Sequence, residues 1–145
     1  MSLAPVIADL KRIYGSGQLG EEVPASARLT KNDFLEWGKI CSASRDSLLD
    51  KIAMFLAHGF HQDLLSFEFC DAIVNDLSGL VNFTELPELF FDVYCAFDAG
   101  EYRTKPEEDP LTDYTRPIIA RIIAAENSGM THEERRAAIL MPRRR

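Results

Sequence analysis

LLSFEFCDAIVNDLSGLV, residues 64–81, carries two interleaved stripes. Phe67, Cys70, Ile73, Val74, Leu77 and Val81 recur at steps of three and four. Glu68, Asp71, Asn75, Ser78 and Asn82 recur at the same steps on another side. Only an α-helix of 3.6 residues per turn sorts apolar and polar side chains in that way. The same period extends in both directions along the chain.

Upstream, residues 3–14 place apolar side chains at Leu3, Val6, Ile7, Leu10, Ile13 and Tyr14. GSGQLGEEVPASA then breaks the pattern with three Gly and a Pro, as a loop does. Thr30 with Asp33 three positions on approximates a capping box and starts a helix, with Phe34, Leu35, Trp37 and Ile40 as its apolar side. SASRDS interrupts. Residues 48–58 resume the period, and Gly59 is expected to stop that helix. Downstream, a helix is expected over 84–99 with Gly100 at its end, followed by the loop EYRTKPEEDP. Residues 111–127 form the last core helix, with Pro117 tolerated in its first turn. Thr131 with Glu134 caps a short terminal helix, and PRRR is expected to trail into solvent. No stretch alternates with period two long enough to make a strand. The expected fold is all-α, a single-domain bundle of five to six helices. Its body spans residues 1–129, and 130–145 add a short terminal helix and basic tail.

The bulk numbers agree. A chain of 145 residues with 46% hydrophobic and 27% charged residues can bury one core. No apolar run is long enough to span a bilayer. The opening MSLAPVIADLKRIYG is not expected to be a signal peptide, since Asp9, Lys11 and Arg12 interrupt it. Cys41, Cys70 and Cys95 form no CxxC pair, and three widely spaced thiols in apolar surroundings fit buried residues in a reducing cytoplasm.

The net charge of −7 is unevenly placed. Residues 1–59 hold seven acids and seven Lys or Arg, whereas 60–114 hold thirteen acids against Arg103 and Lys105. Such a block repels nucleic acid and anionic membrane and attracts basic partners. Its centre is FFDVYCAFDAGEY, residues 90–102, where acids recur inside an apolar-aromatic run. Glu85, Glu88 and Asp92 fall on one side of the expected helix, opposite the large apolar residues. Either this is an ordinary solvated face, or it merges with Glu68 and Asp71 of the preceding helix into one negative surface. Asp98, Glu101, Glu107, Glu108 and Asp109 extend that surface, and Tyr102 and Tyr114 are its candidate aromatic anchors.

Other chemistries find less support. A carboxylate-bridged di-iron centre needs inward Glu-x-x-His pairs, which do not occur. HGFHQD, residues 58–63, offers His58, His61 and Asp63, the centre of an alternative reading as a small metalloprotein or hydrolase. Yet HExxH is absent and catalytic zinc wants three firm ligands. Cysteines among apolar residues keep high pKa values and stay inert. No catalytic residue, cofactor or metal is therefore assigned. The remaining alternative is a structural bundle, and a homodimer is compatible with the pattern.

LFFDVYCAFDAGEY (89–102) followed by DPLTDYTRPIIARII (109–123) resembles the small bacterial immunity proteins of the colicin D type. The shared features are an apolar-aromatic helix ending in FD, a short acidic loop, and a last helix rich in β-branched residues. LTKNDFLEWGKI (29–40) has the Thr-acid-Phe-Leu helix opening common in other colicin immunity proteins. The resemblance covers about the final third of the chain and one earlier helix. It implies a non-enzymatic, acidic, cytoplasmic inhibitor of a basic toxin domain, often a nuclease.

Overall fold

The computed structural model describes residues 2–140, and every regular element among them is helical. Seven α-helices run in order: α1 (Ala4–Tyr14), α2 (Lys31–Cys41), α3 (Arg45–His61), α4 (Phe67–Leu80), α5 (Glu88–Asp98), α6 (Arg116–Asn127) and α7 (His132–Leu140). The count exceeds the five to six expected, and the break expected at SASRDS carries caps of its own. Ser42 ends α2 in the left-handed region at φ 50°, and the Ser44 hydroxyl accepts from Ser47 N–H at 3.2 Å to open α3. The expected PRRR tail lies outside the described residues.

Two caps form as the sequence proposes. Asp33 N–H donates to Thr30 Oγ1 at 3.1 Å while Thr30 N–H donates to Asp33 Oδ2 at 3.0 Å, a complete capping box. Glu134 N–H donates to the Thr131 hydroxyl at 3.2 Å. Each such cap is worth about 1 kcal/mol.

α3 is the central helix and packs against α4, α5 and α6. Leu48, Leu49, Ile52, Ala53, Leu56, Ala57 and Phe60 on it are all buried. From α4, Cys70, Ile73, Val74 and Leu77 of the stripe face inward, joined by Phe69, while Phe67 and Val81 stay half-buried at its ends. Phe97 of α5 joins this core edge-on to Phe60, with ring centroids 5.3 Å apart. α1 is tied in by two aromatic polar tips. Tyr14 Oη donates to Asp76 Oδ2 at 2.5 Å, and Trp37 Nε1 donates to Asp9 Oδ2 at 2.7 Å. Both rings are thus buried without leaving a donor unpaired.

Four expectations need correction. Gly59 does not stop α3, which continues to His61; a Cβ at Gly59 would stand 2.3 Å from Leu65 Cδ1, so the glycine serves close packing. Leu35 and Ile40 lie exposed, because α2 turns Trp37 and Cys41 to the core instead. Cys95 is exposed, unlike Cys41 and Cys70. The fifth helix starts at Glu88 rather than at Thr84, since Pro87 precedes it in an extended conformation. Residues Phe83–Glu85 form a separate 3₁₀ turn, closed by the Asn82 carboxamide accepting from Thr84 N–H at 3.1 Å. Among the described residues, no helix is long and apolar enough to cross a membrane.

Candidate interaction face

The acids read from the sequence separate into three groups in space. The first gathers where α4 meets the end of α5. Positions 68, 71 and 75 share one side of α4, and 94, 98 and 101 share one side of α5 and its exit. Asn75 Nδ2 donates to the Asp71 carbonyl at 2.9 Å and to Glu101 Oε2 at 3.3 Å, holding the two elements together. Asp71 Oδ1 is buried with no donor against it, and the Glu101 carboxyl is its neighbour across the Asn75 bridge. Two neighbouring carboxyls resist ionising together. Burial first, and then Glu101, push the Asp71 carboxyl up to about 8. Burial and the charge of Glu101 also raise Asp98. Among the described residues, no Lys, Arg or His pairs with Asp71, Asp98 or Glu101. Glu68 is exposed one turn before Asp71.

The second group is the loop that follows. Glu108 accepts from Thr104 N–H at 2.8 Å and Thr104 Oγ1 at 2.6 Å, and also from Tyr114 Oη. These donors, the Thr104 hydroxyl foremost, hold its carboxyl down at about 2. Asp109 accepts from Thr112 Oγ1 at 2.9 Å and opens a π-helical turn over Leu111–Thr115. At its far end Thr115 Oγ1, fully buried, donates to the Ala96 carbonyl at 2.7 Å. The loop is therefore shaped before any partner arrives. Glu107 is exposed, and Tyr102 stands 73% exposed directly after Glu101. Tyr114 is turned onto Glu108, which occupies its hydroxyl.

The third group does not join the face. Glu85 lies on the 3₁₀ turn, so the stripe expected for Glu85, Glu88 and Asp92 is broken. Glu88 is exposed at the start of α5. Asp92 is 6% exposed and turned inward, where Arg135 Nε reaches it at 3.3 Å and Arg136 Nη2 at 2.9 Å. Arg135 Nη1 also donates to Glu126 at 2.8 Å, so α7 is clamped to α5 and α6 by buried charge. Including Asp92 in an open acidic surface is thus corrected: its charge is spent on α7. Arg135 and Arg136 carried no local signal of this, being 43 residues or more away. Asn75, by contrast, was visible in the polar stripe of its own helix.

His58, His61 and Asp63 do not assemble. Asp63 accepts from Arg116 Nη2 at 2.9 Å, and the Arg116 guanidinium lies over the Phe60 ring at 4.6 Å. Among the described residues, no three His, Cys, Asp or Glu side chains are arranged to hold a metal ion. Burial pushes the Cys70 and Cys95 thiols up, which leaves both poorly nucleophilic. Compared with protein-family models, with curated proteins and with solved structures, the chain matches none.

Proposed function

We propose that this chain is a non-enzymatic, cytoplasmic inhibitor of a basic protein, of the kind that neutralises a bacterial toxin or nuclease domain. The observation that carries the reading is the meeting of Asp71, Asp98 and Glu101 from two helices with no cation among them. Carboxylates packed together repel, and a fold keeps such a cluster at a cost in stability. A lysine or arginine from a partner relieves that cost on contact. Glu68 and Glu107 widen the negative field and steer encounter, and Tyr102 offers the aromatic anchor that affinity requires. A nuclease cleft, positive because it binds phosphate, is a surface of the complementary sign.

The proton that Asp71 keeps beside Glu101 gives this reading a signature. A cation that binds the pair favours its doubly ionised form and expels the proton. Binding should therefore tighten as pH rises towards 8 and release protons, seen by calorimetry in buffers of different ionisation enthalpy. The biological test is co-expression with a basic toxin domain, should a neighbouring gene encode one, reading cell survival. Protection and a salt-sensitive complex are expected. Asp98→Lys with Glu101→Lys should abolish both, while Glu85→Gln with Glu88→Gln should leave them intact. Full protection by the double lysine variant overturns the proposal.

A further inference from the structure

The HGFHQD segment serves neither the acidic face nor a metal, but it lines a cleft of about 800 Å³. That size falls within the roughly 300–1,000 Å³ of small-molecule sites. The end of α3 supplies one wall with His58 and Gln62, and α1 supplies Lys11 opposite. The loop after α1 closes the cleft with Gln18 and Leu19.

The walls are fixed in advance. Ser66 N–H donates to the Gly17 carbonyl at 2.7 Å. Gly17 is buried at φ 79°, and a Cβ there would stand 2.8 Å from Leu65 Cδ2, so only glycine lets the loop lie this close. Glu21 accepts from Ser16 N–H at 3.2 Å and from its hydroxyl. On the other side, Leu64 N–H donates to the Gly59 carbonyl at 2.8 Å. A ligand would meet a shape it does not have to organise.

Four of the eleven lining residues, Leu19, Phe55, Leu64 and Leu65, present aliphatic or aromatic surface, and six are polar or charged. Leu19 is 58% exposed and Leu64 65% exposed, and Phe55 lies half-buried between them and the core. Apolar surface of this kind, gathered in a concavity, is a binding feature rather than a packing one. The one carboxylate in the lining, Asp63, is neutralised by Arg116. The Lys11 ammonium pairs with no carboxylate among the described residues, and His58, Gln18 and Gln62 add donors beside it. A chain of net charge −7 thus keeps a greasy cleft whose unpaired charge is positive.

We infer that this cleft binds a medium-chain aliphatic carboxylate, its head on Lys11 and its tail along Leu19, Leu64 and Phe55. A second cleft of about 720 Å³ shares Phe55 and His58 and continues with Leu3, Met54 and Leu89, with Ser47, Asp50, Lys51 and Glu126 at its polar side. A longer tail runs past Phe55 into it, so affinity climbs with chain length, by at most about fourfold for each added methylene at full burial.

The test is a titration of the isotope-labelled full chain with sodium decanoate, followed by amide NMR shifts. Saturable shifts confined to the cleft residues are expected, with octanoate weaker and dodecanoate tighter. Decanol, with the same tail and no charge, should bind at least about tenfold more weakly. Lys11→Glu should lose about tenfold, and Leu64→Asp should lose binding; both positions are exposed, and unchanged spectra elsewhere check the fold. Absence of saturable shifts, or decanol binding as well as decanoate, overturns the inference. So does binding by a peptide with an apolar, free-carboxylate C-terminus where decanoate fails, which would give the cleft to a protein partner.

Discussion

Asp92 and Asp98 sit six residues apart on one helix and meet opposite fates. Asp92 is buried, and two arginines of α7 reach it. Asp98 faces Glu101 and Asp71 and pairs with no cation among the described residues. By charge the two aspartates are equivalent, although six residues on a helix set them on different sides. What separates them is whether the bundle brings a guanidinium to the carboxylate. Where it does, the acid becomes a structural tie that would leave a stranded charge if either side were cut. Where it does not, the acid stays available, and its neighbours answer by taking up a proton.

The contrast can be broken most forcefully at Asp92. Asp92→Ala takes a buried carboxylate from Arg135 and Arg136 and should cost about 3–5 kcal/mol in urea denaturation, with α7 the first element to become protease-sensitive. A loss below about 1 kcal/mol would mean that α7 is not held by this charge.

The next largest effect is a pH dependence. In the folded chain Asp71 titrates near 8 against an ordinary 3.8. A raised carboxyl pKa means the folded state binds the proton more tightly than the unfolded one. Its contribution is complete below about pH 4 and is lost as pH rises through 8. Stability should fall between pH 5 and 9 by an amount on the order of 1 kcal/mol once solvent screening at this half-buried pair is allowed for. Asp71→Asn, which keeps the shape without the charge, should flatten that profile. A profile as steep in the variant as in the parent would place the titration elsewhere.

Smaller still is Asp98→Asn. Removing one repelling charge should raise stability by about 0.3 kcal/mol while weakening capture of a basic partner. Gain in stability with loss of binding is the mark of a charge kept for use. Glu68→Gln should be the mildest, with no resolvable change from the parent in thermal unfolding, because it is exposed. Its effect should appear only in the salt dependence of association.

Much of the fold was legible. The stripe of residues 64–81 buries Cys70, Ile73, Val74 and Leu77 and leaves Phe67 and Val81 half-buried, and the Thr30 and Thr131 caps close as their spacing requires. The misreadings lie where a local cue had two meanings. Gly59 was read as a stop because glycine ends helices, but it is there because Leu65 needs the space. Residues 84–87 continued a helical period, but Pro87 delayed the helix to Glu88. The site was half legible. Asp71, Asp98 and Glu101 were named, but nothing local distinguished them from Asp92.

Helices, caps and buried stripes came from the sequence alone, because a helix relates residues three and four apart and such neighbours are visible in the chain itself. The tertiary structure alone decided the company each carboxylate keeps. Asp92 meets Arg135 across 43 residues, and Asp71 meets Glu101 across the α4–α5 contact. Those meetings depend on how the helices pack against one another, which apolar side chains set and charged residues inherit.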